Sequence, residues 1–418
     1  MRRMRGFSRL TKVKDALNIV YECCSEKKLA TETISISDAC GRVLEVDIAT
    51  KVDVPPFDRS AVDGYAIFSE EAFSASASNP AVLRLVGSSE AGGERGKVSK
   101  GECLEIFTGA QVPDGADAVV MAEDCTRNGD AVSVNRPVLK YANMSLRGED
   151  LKSGEVVVKK GELLRPWDIG VLASIGSAEI AVRRKPLVGI ISTGSELVDI
   201  SEAYERKGTC ILDSTRPMVI SSLKELGCLV ADNGIVKDNP EEIASKLNNL
   251  KGEVDLIITI GGTSVGGKDL VPEAVLLVSK EGLMFHGLAA KPGKPLGFGM
   301  IGETPFFMLP GYPVSALVGY ETIIQPLLCR WLGITQPERK KVMAVMARRI
   351  PTTPGVQHML RVMLNRKGDT LVATPIVITG SGLLSSITKA DGIVIVNEDL
   401  DGVEEGDEVE VEVIRRWP

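Results

Sequence analysis

The stretch Leu187-Val188-Gly189-Ile190-Ile191-Ser192-Thr193-Gly194-Ser195-Glu196 decides the fold of the middle of the chain. It begins as a continuous apolar run, typical of a strand buried on both faces, and ends as a polar loop. A second run, residues 255–260, enters the glycine-rich loop 261–269 in the same way. Helical patterns at 217–226 and 240–250 separate the two runs. This alternation predicts an α/β domain with three layers, in which helices cover both faces of a parallel sheet.

On either side of this region the pattern changes to short alternating runs divided by glycine and proline, which predicts β-rich modules. Helices are expected at 11–29, at 166–175 and at 314–332, between the parallel sheet and the last module. We therefore expect a multidomain α/β plus β protein. Its predicted parts are a discontinuous helical and linking domain (1–45 and 145–185), an inserted β-rich domain (46–144), the α/β domain (186–333) and a small C-terminal β domain (334–418).

Composition excludes several classes of function. The 418 residues include 49 Lys and Arg against 56 Asp and Glu, a net charge of −7, and 4% are aromatic. This balance argues against nucleic-acid binding, so an anionic ligand needs a local site. There are two histidines, and the eight cysteines form no Cys-x-x-Cys pair, so zinc-ligand spacing is absent. No apolar run approaches the ~18 residues of a membrane span. Scattered cysteines indicate a reducing compartment, and we expect a cytoplasmic protein.

The loops 193–196 and 261–269 follow buried strands, and ligands of parallel sheets bind beyond the carboxyl ends of the strands. The second loop contains G-x-x-x-x-G-K, but Asp269 stands where a phosphate loop has Ser or Thr. Three interpretations stay open: a phosphate loop, a tight structural turn, or backbone N–H groups that bind phosphate while Asp269 serves as a metal ligand or polar anchor. Glu196 is either solvated or a carboxylate that faces the same crevice.

Three further segments carry candidate residues. Lys291 and Lys294 lie on a backbone restricted by proline and glycine, which predicts a rigid cationic pair able to bind an oxyanion; alternatively, both lysines only decorate a loop. Asp213 and Thr215 are typical of a helix N-terminus. Asp58 lies in a loop dense in functional residue types, or caps a turn of that loop.

Seven motifs follow one another along nearly the whole chain. They are Asp58-Arg59-Ser60-Ala61-Val62-Asp63-Gly64-Tyr65-Ala66, Thr108-Gly109-Ala110 with Gly115-Ala116-Asp117-Ala118-Val119-Val120, Arg147-Gly148-Glu149-Asp150, Ser192-Thr193-Gly194-Ser195-Glu196-Leu197, Gly261-Gly262-Thr263-Ser264-Val265-Gly266, Lys291-Pro292-Gly293-Lys294-Pro295 and Leu309-Pro310-Gly311-Tyr312-Pro313-Val314-Ser315-Ala316. Each motif alone is weak, but the ordered set is specific. Together they resemble the molybdopterin molybdotransferase family, which includes MoeA and the E domain of gephyrin.

The resemblance implies an elongated homodimer of four-part protomers that inserts molybdate, or tungstate, into adenylylated molybdopterin with Mg²⁺-dependent release of AMP. It also implies site residues. Those implied in catalysis are Asp58, Asp150, Glu196 and Asp269. Those implied in substrate binding are Thr193, Gly194, Ser195, Asp213, Thr215, Gly261, Gly262, Thr263, Ser264, Gly266, Lys291, Lys294, Pro310, Gly311, Pro313, Arg361 and Ser385. Those implied in Mg²⁺ binding are Glu196, Asp238 and Asp269.

The chain departs from the family pattern at several positions. Tyr312 replaces a frequent asparagine, Gly267 stands where an acidic residue is common, and Val356 and His358 stand where basic and acidic residues are usual. Two other functions compete with the transferase. A non-catalytic dimeric scaffold like the gephyrin E domain does not require the carboxylates beside the loops. A nucleotide-pyrophosphatase or phosphate-loop enzyme leaves the β modules unexplained.

Overall fold

The computed structural model describes residues 10–202, 210–262, 270–376 and 382–415. The chain divides into two compact units. Unit 1 consists of Met1–Glu32 and Arg183–Pro418, and unit 2 of Thr33–Val182. Among the described helices, none combines the length and apolar composition needed to cross a membrane. The predicted division into four domains stays a prediction.

The helices agree with the sequence pattern in position and differ in their ends. The α-helices are α1 (Val13–Cys23), α2 (Ser69–Ala72), α3 (Pro166–Ser174), α4 (Thr215–Glu225), α5 (Pro240–Leu250), α6 (Leu270–Val278), α7 (Pro313–Gly319), α8 (Gln325–Leu332) and α9 (Ser385–Lys389). Short 3-10 helices cover Ile36–Asp38, Ala122–Asp124 and Ile200–Glu202.

The strands range in length from two to eleven residues. They are β1 (Thr31–Ser35), β2 (Ile48–Ala49), β3 (Arg59–Ser60), β4 (Gly64–Ile67), β5 (Ala81–Ser89), β6 (Glu102–Ile106), β7 (Ala118–Met121), β8 (Cys125–Asn128), β9 (Ala131–Val134), β10 (Met144–Ser145), β11 (Val156–Val158), β12 (Glu179–Arg183), β13 (Leu187–Thr193), β14 (Leu197–Val198), β15 (Ile211–Leu212), β16 (Leu229–Val236), β17 (Leu256–Ile260), β18 (Leu283–His286), β19 (Ala290–Lys291), β20 (Gly297–Ile301), β21 (Thr304–Leu309), β22 (Lys341–Met346), β23 (Ile350–Pro351), β24 (Gln357–Lys367), β25 (Thr370–Pro375), β26 (Gly392–Val396), β27 (Gly402–Val403) and β28 (Glu408–Val413).

Unit 2 is β-rich, as its short alternating runs predict. Its main sheet has the strand order β7-β4-β6-β5-β9-β8 and packs a core rich in Val and Ala. The helix α3 begins where Pro166 occupies the first turn, and the Asp168 carboxylate accepts the Arg165 N–H (2.8 Å). This side-chain cap satisfies a backbone donor at the start of the helix.

Unit 1 contains the predicted parallel sheet, with the strand order β16-β13-β17-β21-β20-β18. The pairs β16–β13, β13–β17 and β17–β21 are parallel, while β20 and β18 pair antiparallel at one edge. The sequence interpretation omitted this edge. A two-residue turn at Gly302 and Glu303 joins β20 to β21, and Gly302 has φ +62°, which suits a tight hairpin. The sheet is therefore mixed rather than purely parallel.

Alternate side chains of the central strands pack against the two helical layers. Val188, Ile190 and Ile258 belong to the apolar core that includes residues of α1, α4, α7 and α8. Ile191 and Ile257 belong to a second core, formed with α5 and α6. Burial on both faces explains why these strands are continuous apolar runs.

The long helix predicted at 314–332 is interrupted. A π-helical turn, Tyr320–Ile324, joins α7 to α8. Pro326, two residues after this turn, has no N–H to donate to it, so the wider turn absorbs the mismatch. The Tyr320 hydroxyl donates to the Ser222 carbonyl oxygen (3.0 Å) and ties this turn to α4.

The C-terminal strands close into a small barrel. The order β24-β25-β22-β28-β26 is completed by a pairing of β26 with β24. Val362, Leu364, Val394 and Val411 fill its interior. The strand β19, which follows β18, pairs in parallel with β24, so the barrel and the mixed sheet are joined through backbone hydrogen bonds.

Candidate active site

The loops after β13, β17 and β21 meet at one edge of the mixed sheet. The Gly261 N–H donates to the Leu309 carbonyl oxygen (3.0 Å), and the Gly194 N–H donates to the Val236 carbonyl oxygen (3.1 Å). The Thr193 hydroxyl lies 3.4 Å from the Ile260 carbonyl oxygen. The structure therefore brings the predicted loop residues together, because the carboxyl ends of parallel strands lie side by side.

Two glycines make this close approach feasible. Gly261 has φ +93°, and a Cβ there would lie 2.4 Å from the Thr193 carbonyl oxygen. At Gly262 a Cβ would lie 2.8 Å from the Thr193 hydroxyl oxygen and 2.6 Å from Val271. A side chain at Gly261 would displace the backbone of the first loop, and one at Gly262 would displace the side chains of Val271 and Thr193. Four predicted site residues of the same loop lie outside the described residues: Thr263, Ser264, Gly266 and Asp269.

Two predicted metal ligands lie beside the first loop. The Ser195 N–H donates to the Asp238 carboxylate (3.1 Å), and the Asp238 N–H donates to the Ser195 hydroxyl (3.1 Å). The Glu196 carboxylate folds over Gly194, where a Cβ would lie 3.0 Å from both of its oxygens. Among the described residues no cluster of three metal-ligating side chains is present. The third predicted ligand, Asp269, lies outside them.

Thr215 and Asp213 at the start of α4 are both buried. The Thr215 hydroxyl donates to the Gly311 carbonyl oxygen (2.8 Å) and so holds the loop after β21 against α4. The Asp213 carboxylate accepts the backbone N–H (3.1 Å) and Nε (2.9 Å) of Arg216. Asp213 thus acts in the structure as a helix cap, and its substrate role stays a prediction.

Arg216 is a residue that the sequence interpretation passed over. Besides Asp213, its guanidinium donates to the carboxylates of Asp232 and Asp199. Burial alone would lower the pKa of Arg216, but the bonds to Asp213 and Asp232 raise it above its ordinary value. The Asp-x-x-Arg spacing at a helix start was the available signal. The ion pairs fix the position of α4 beside the site.

The lysine pair lies between the mixed sheet and the barrel. Lys291 pairs with His358 across the β19–β24 ladder, and the Leu288 N–H donates to the Lys294 carbonyl oxygen (2.8 Å). Gly293 between them has φ +115°, and a Cβ there would lie 3.2 Å from Val318. The backbone is therefore fixed on both sides of the turn, while both lysine side chains are exposed.

Arg361 lies on β24, three residues after His358. Its Nε and Nη1 atoms are buried, and within the described residues neither has a hydrogen-bond partner. Burial lowers the pKa of Arg361. Buried N–H groups without partners cost stability, so these two nitrogens are suited to an anion that arrives from outside. Ser385 is exposed at the start of α9, and the hydroxyl of the next residue, Ser386, is buried and unpartnered among the described residues.

His358, one of the departures from the family pattern, is buried beneath this region. Its Nε2 atom accepts the Thr353 N–H (3.2 Å), which requires an unprotonated Nε2. Burial, and secondly the charge of Lys291, lower the pKa of His358. His358 thus replaces an acidic residue without adding a positive charge at neutral pH.

In unit 2 the structure brings Asp58 and Asp150 to the same region. The Arg147 N–H donates to the Asp58 carboxylate (2.7 Å). The Gly148 N–H donates to the Pro55 carbonyl oxygen (3.0 Å), and the Asp150 N–H donates to the Val54 carbonyl oxygen (3.1 Å). Residues 53–58 and 147–150 are thereby held side by side, although 89 positions separate Asp58 from Arg147.

The chain combines a mixed α/β sheet with glycine loops, a β-rich unit and a terminal barrel, which defines a multidomain α/β plus β protein. Family models agree along the chain. Residues 11–176 match the MoeA N-terminal region (domain I and II). Residues 189–330 match a probable molybdopterin binding domain, and residues 343–414 match the MoeA C-terminal region (domain IV).

Individual proteins give the same result. A protein of Methanocaldococcus jannaschii named for molybdopterin biosynthesis is 36% identical over 99% of this chain and 100% of its own. The molybdopterin molybdenumtransferase of Haemophilus influenzae is 32% identical over 91% and 93%. The crystal structure of a Pyrococcus horikoshii molybdopterin biosynthesis MoeA protein matches with a TM-score of 0.81 at 33% identity, covering 98% of this chain and 100% of that one. The chain belongs to the MoeA family of molybdopterin molybdenumtransferases, and it is a transferase of molybdenum cofactor biosynthesis.

Proposed function

We propose that the protein inserts molybdate into adenylylated molybdopterin and releases AMP in an Mg²⁺-dependent reaction. The observation that carries this proposal is Arg361, on the strand that pairs with Lys291: its buried Nε and Nη1 atoms have no hydrogen-bond partner among the described residues. A dianion bound there would supply the missing hydrogen-bond acceptor. Ser385 at the start of α9 is the hydroxyl donor that we assign to the same ligand.

The lysine pair supports the same assignment. Lys291 and Lys294 extend from a backbone that is already ordered, so little loop entropy is lost when an anion binds. Charge-assisted hydrogen bonds from ammonium groups to an oxyanion are about twice as strong as neutral ones. Molybdate and tungstate are nearly isosteric, and the proposed site accepts either.

The glycine loops suit the phosphate anhydride of the adenylylated substrate. Their glycines allow a close approach of ligand to backbone, and we assign Thr193, Gly194, Ser195, Gly261, Gly262, Thr263, Ser264 and Gly266 to this contact. The loop after β21, with Pro310, Gly311 and Pro313, forms the wall next to them, held in place by Thr215. In the reaction water attacks the anhydride, the P–O bond to AMP breaks, and AMP leaves while a terminal phosphate stays on the pterin. The pterin dithiol replaces one oxygen of molybdate, which leaves as water.

We assign Mg²⁺ binding to Glu196, Asp238 and Asp269. The carboxylates of Glu196 and Asp238 belong to adjoining loops and are oxygen donors of the type that Mg²⁺ prefers, so they fit the ion. Bound Mg²⁺ would withdraw charge from the departing AMP. Glu196 and Asp238 would also keep the substrate phosphates from approaching the first loop unless the ion is present, because like charges repel.

We further propose a homodimer in which Asp58 and Asp150 complete the site of the partner protomer. The hydrogen bonds that hold residues 53–58 beside 147–150 support a joint role for these two carboxylates. All eight cysteines are free thiols, which supports a cytoplasmic protein. Sedimentation at micromolar concentration is expected to give the dimer; a stable monomer of 44.7 kDa would count against the shared site.

The function is tested by mixing the purified protein with adenylylated molybdopterin, molybdate and Mg²⁺ and measuring released AMP. We expect AMP release that requires both molybdate and Mg²⁺, together with molybdenum bound to the pterin product. AMP release without molybdenum incorporation would indicate a pyrophosphatase. Binding of the pterin with no turnover under any condition would indicate a scaffold.

A further inference from the structure

Tyr312 has an unusual position for an aromatic side chain. Its ring is 64% exposed, in the loop between β21 and α7 at the glycine-loop edge of the sheet. Among the unit 1 residues that the structure describes, it is the only exposed Phe, Tyr or Trp. An exposed ring at the edge of a ligand site is available for contact with a flat ligand that binds there.

The backbone that carries the ring is held from several sides. Tyr312 has φ −73° and ψ 124° and directly precedes Pro313, which restricts it to this extended region. The carbonyl oxygen of the preceding residue, Gly311, accepts a hydrogen bond from the Thr215 hydroxyl. A Cβ at Gly311 would lie 3.5 Å from the Gly261 Cα, so the two loops are close here. Only two side-chain torsions of Tyr312 remain to be ordered when a ligand binds, so little conformational entropy is lost in that contact.

The C-terminal barrel also reaches this ring. A Cβ at Gly382 would lie 3.1 Å from Cδ1 and 3.3 Å from Cε1 of Tyr312. The next residue, Leu383, is itself 50% exposed. Gly382 and Leu383 lead into α9, which begins with Ser385. Tyr312 and Leu383 thus form an exposed apolar patch beside groups that otherwise suit anions.

The hydroxyl does not explain the residue. It has no hydrogen-bond partner among the described residues, whereas the ring lies beside Gly382. A flat ligand is the chemistry that an exposed, pre-positioned ring recognises, since stacked aromatic surfaces exclude water from both faces.

We propose that Tyr312 is a positioning residue that stacks on the pterin ring of the substrate. This inference rests on the proposed function. The substrate carries two flat heterocycles, and the pterin is the one next to the two thiolates that receive molybdenum, whereas the adenine lies beyond both phosphates. Tyr312 contacts the segment that leads to Ser385, a residue assigned to the oxyanion, so the pterin is the ring that reaches it.

The test compares Tyr312→Ala, Tyr312→Phe and Tyr312→Leu in the full-length protein. The probes are a 6-substituted pterin monophosphate, followed by fluorescence anisotropy, and AMP, followed by calorimetry. We expect Tyr312→Ala and Tyr312→Leu to weaken binding of the pterin probe about tenfold, in the range of aromatic–base stacking, and Tyr312→Phe to bind within about twofold of the wild type. AMP binding and the molybdate half-saturation are expected to change less than about twofold, because the ring touches neither ligand.

Met343→Ala is the matched control, since it removes an exposed apolar side chain of the barrel in the same unit. Unchanged pterin binding in Tyr312→Ala, or an absence of pterin binding by the wild type, would overturn the proposal. A loss of AMP affinity instead would assign the ring to adenine and also overturn it. These results differ from a failure of the proposed function, in which the wild type shows no molybdate-dependent AMP release.

Discussion

Lys291 pairs with His358 across the ladder that joins β19 to the barrel strand β24. The adjoining Gln357 N–H donates to the Ala289 carbonyl oxygen (2.9 Å), so the lysine segment is anchored by backbone hydrogen bonds of the C-terminal barrel. Arg361 follows on the same strand. The backbone pairing of β19 with β24 therefore fixes the positions of Lys291 and Arg361 relative to each other.

Replacing Lys294 by Ala is expected to raise the molybdate concentration needed for half-maximal activity by roughly tenfold to a hundredfold, the range of a lost charged hydrogen bond. Binding of the pterin probe should change little, because the glycine loops are untouched. Lys294→Arg should rescue only in part, since a planar fork does not replace a compact ammonium. Lys246→Ala, on the exposed face of α5, is the control. Titration of molybdate in each variant measures the effect, and an unchanged half-saturation in Lys294→Ala would exclude this lysine from the site.

Arg361→Met is expected to separate stability from function. The wild-type guanidinium has buried nitrogens without partners in the described residues, so its removal relieves a desolvation cost. Without molybdate, we expect the free energy of unfolding to rise by about 1 kcal/mol. Molybdate-dependent AMP release should be largely lost. Denaturant unfolding and the activity assay provide the two measurements.

Arg361→Lys supplies the control for this variant, since it retains the charge and loses the fork. We expect its free energy of unfolding to be no higher than that of the wild type. We also expect it to keep weak molybdate-dependent AMP release. If Arg361→Met were strongly destabilised instead, the guanidinium would have a structural partner, and its assignment to the oxyanion would be wrong.

His358 predicts a pH dependence of stability. Its folded-state pKa lies below its ordinary value of 6.5, so the unfolded chain binds the proton more readily. The stabilising contribution is therefore complete above about pH 6.5 and is lost as the pH falls through the unfolded pKa toward the folded one. Denaturant unfolding between about pH 8 and about pH 5 should show a steeper fall for the wild type than for His358→Gln. Parallel curves would show that another group governs the dependence.

Glu196→Gln keeps the size of the side chain and removes its charge. We expect the Mg²⁺ concentration for half-maximal AMP release to rise about tenfold or more, because a neutral amide is a poorer ligand for the ion. Molybdate half-saturation at saturating Mg²⁺ should stay near the wild-type value. Glu241→Gln in the first turn of α5 is the matched control, since that carboxylate is exposed. An unaltered Mg²⁺ requirement in Glu196→Gln would remove Glu196 from the metal site.

The sequence predicts the helices and strands of this fold better than the pairing of edge strands and the interruption of a helix. Buried strands such as Leu187–Thr193 have a continuous apolar pattern that follows from burial on both faces. The antiparallel edge formed by β20 and β18 was missed because a short apolar run next to glycines fits several structures. The π-helical turn before Pro326 was missed because the apolar pattern of residues 314–332 continues through it, and Pro326 is the local signal of the interruption.

The candidate site shows the same division. Loop residues at strand ends, such as Gly194 and Gly261, could be named from their position after buried strands. The pairing of Lys291 with His358 and the contact of Gly382 with Tyr312 join segments far apart in the chain, and spacing alone does not predict them. Arg216 was passed over because its importance comes from Asp232 and Asp199, which only the folded chain brings to it.

Gly261→Ala tests whether the close approach of the two glycine loops is essential. Gly261 has φ +93°, and an added Cβ would overlap the Thr193 carbonyl oxygen at 2.4 Å. Gly227 is the matched control because it has φ +92° and nothing within 4 Å of an added Cβ. Gly227→Ala should therefore lose only the backbone strain of about 1–2 kcal/mol. Gly261→Ala should lose about 2 kcal/mol more, since the first loop must also move.

The functional consequence follows from the same overlap. Displacing Thr193 moves the loop that carries Ser195 and Glu196, so Gly261→Ala should weaken AMP binding and raise the Mg²⁺ requirement together, whereas Gly227→Ala should leave both unchanged. Denaturant unfolding, calorimetry with AMP and Mg²⁺ titration of activity are measured on both variants. Equal losses of stability and unchanged ligand binding in both would mean that the loops tolerate separation, and the assignment of both loops to a single phosphate site would have to be abandoned.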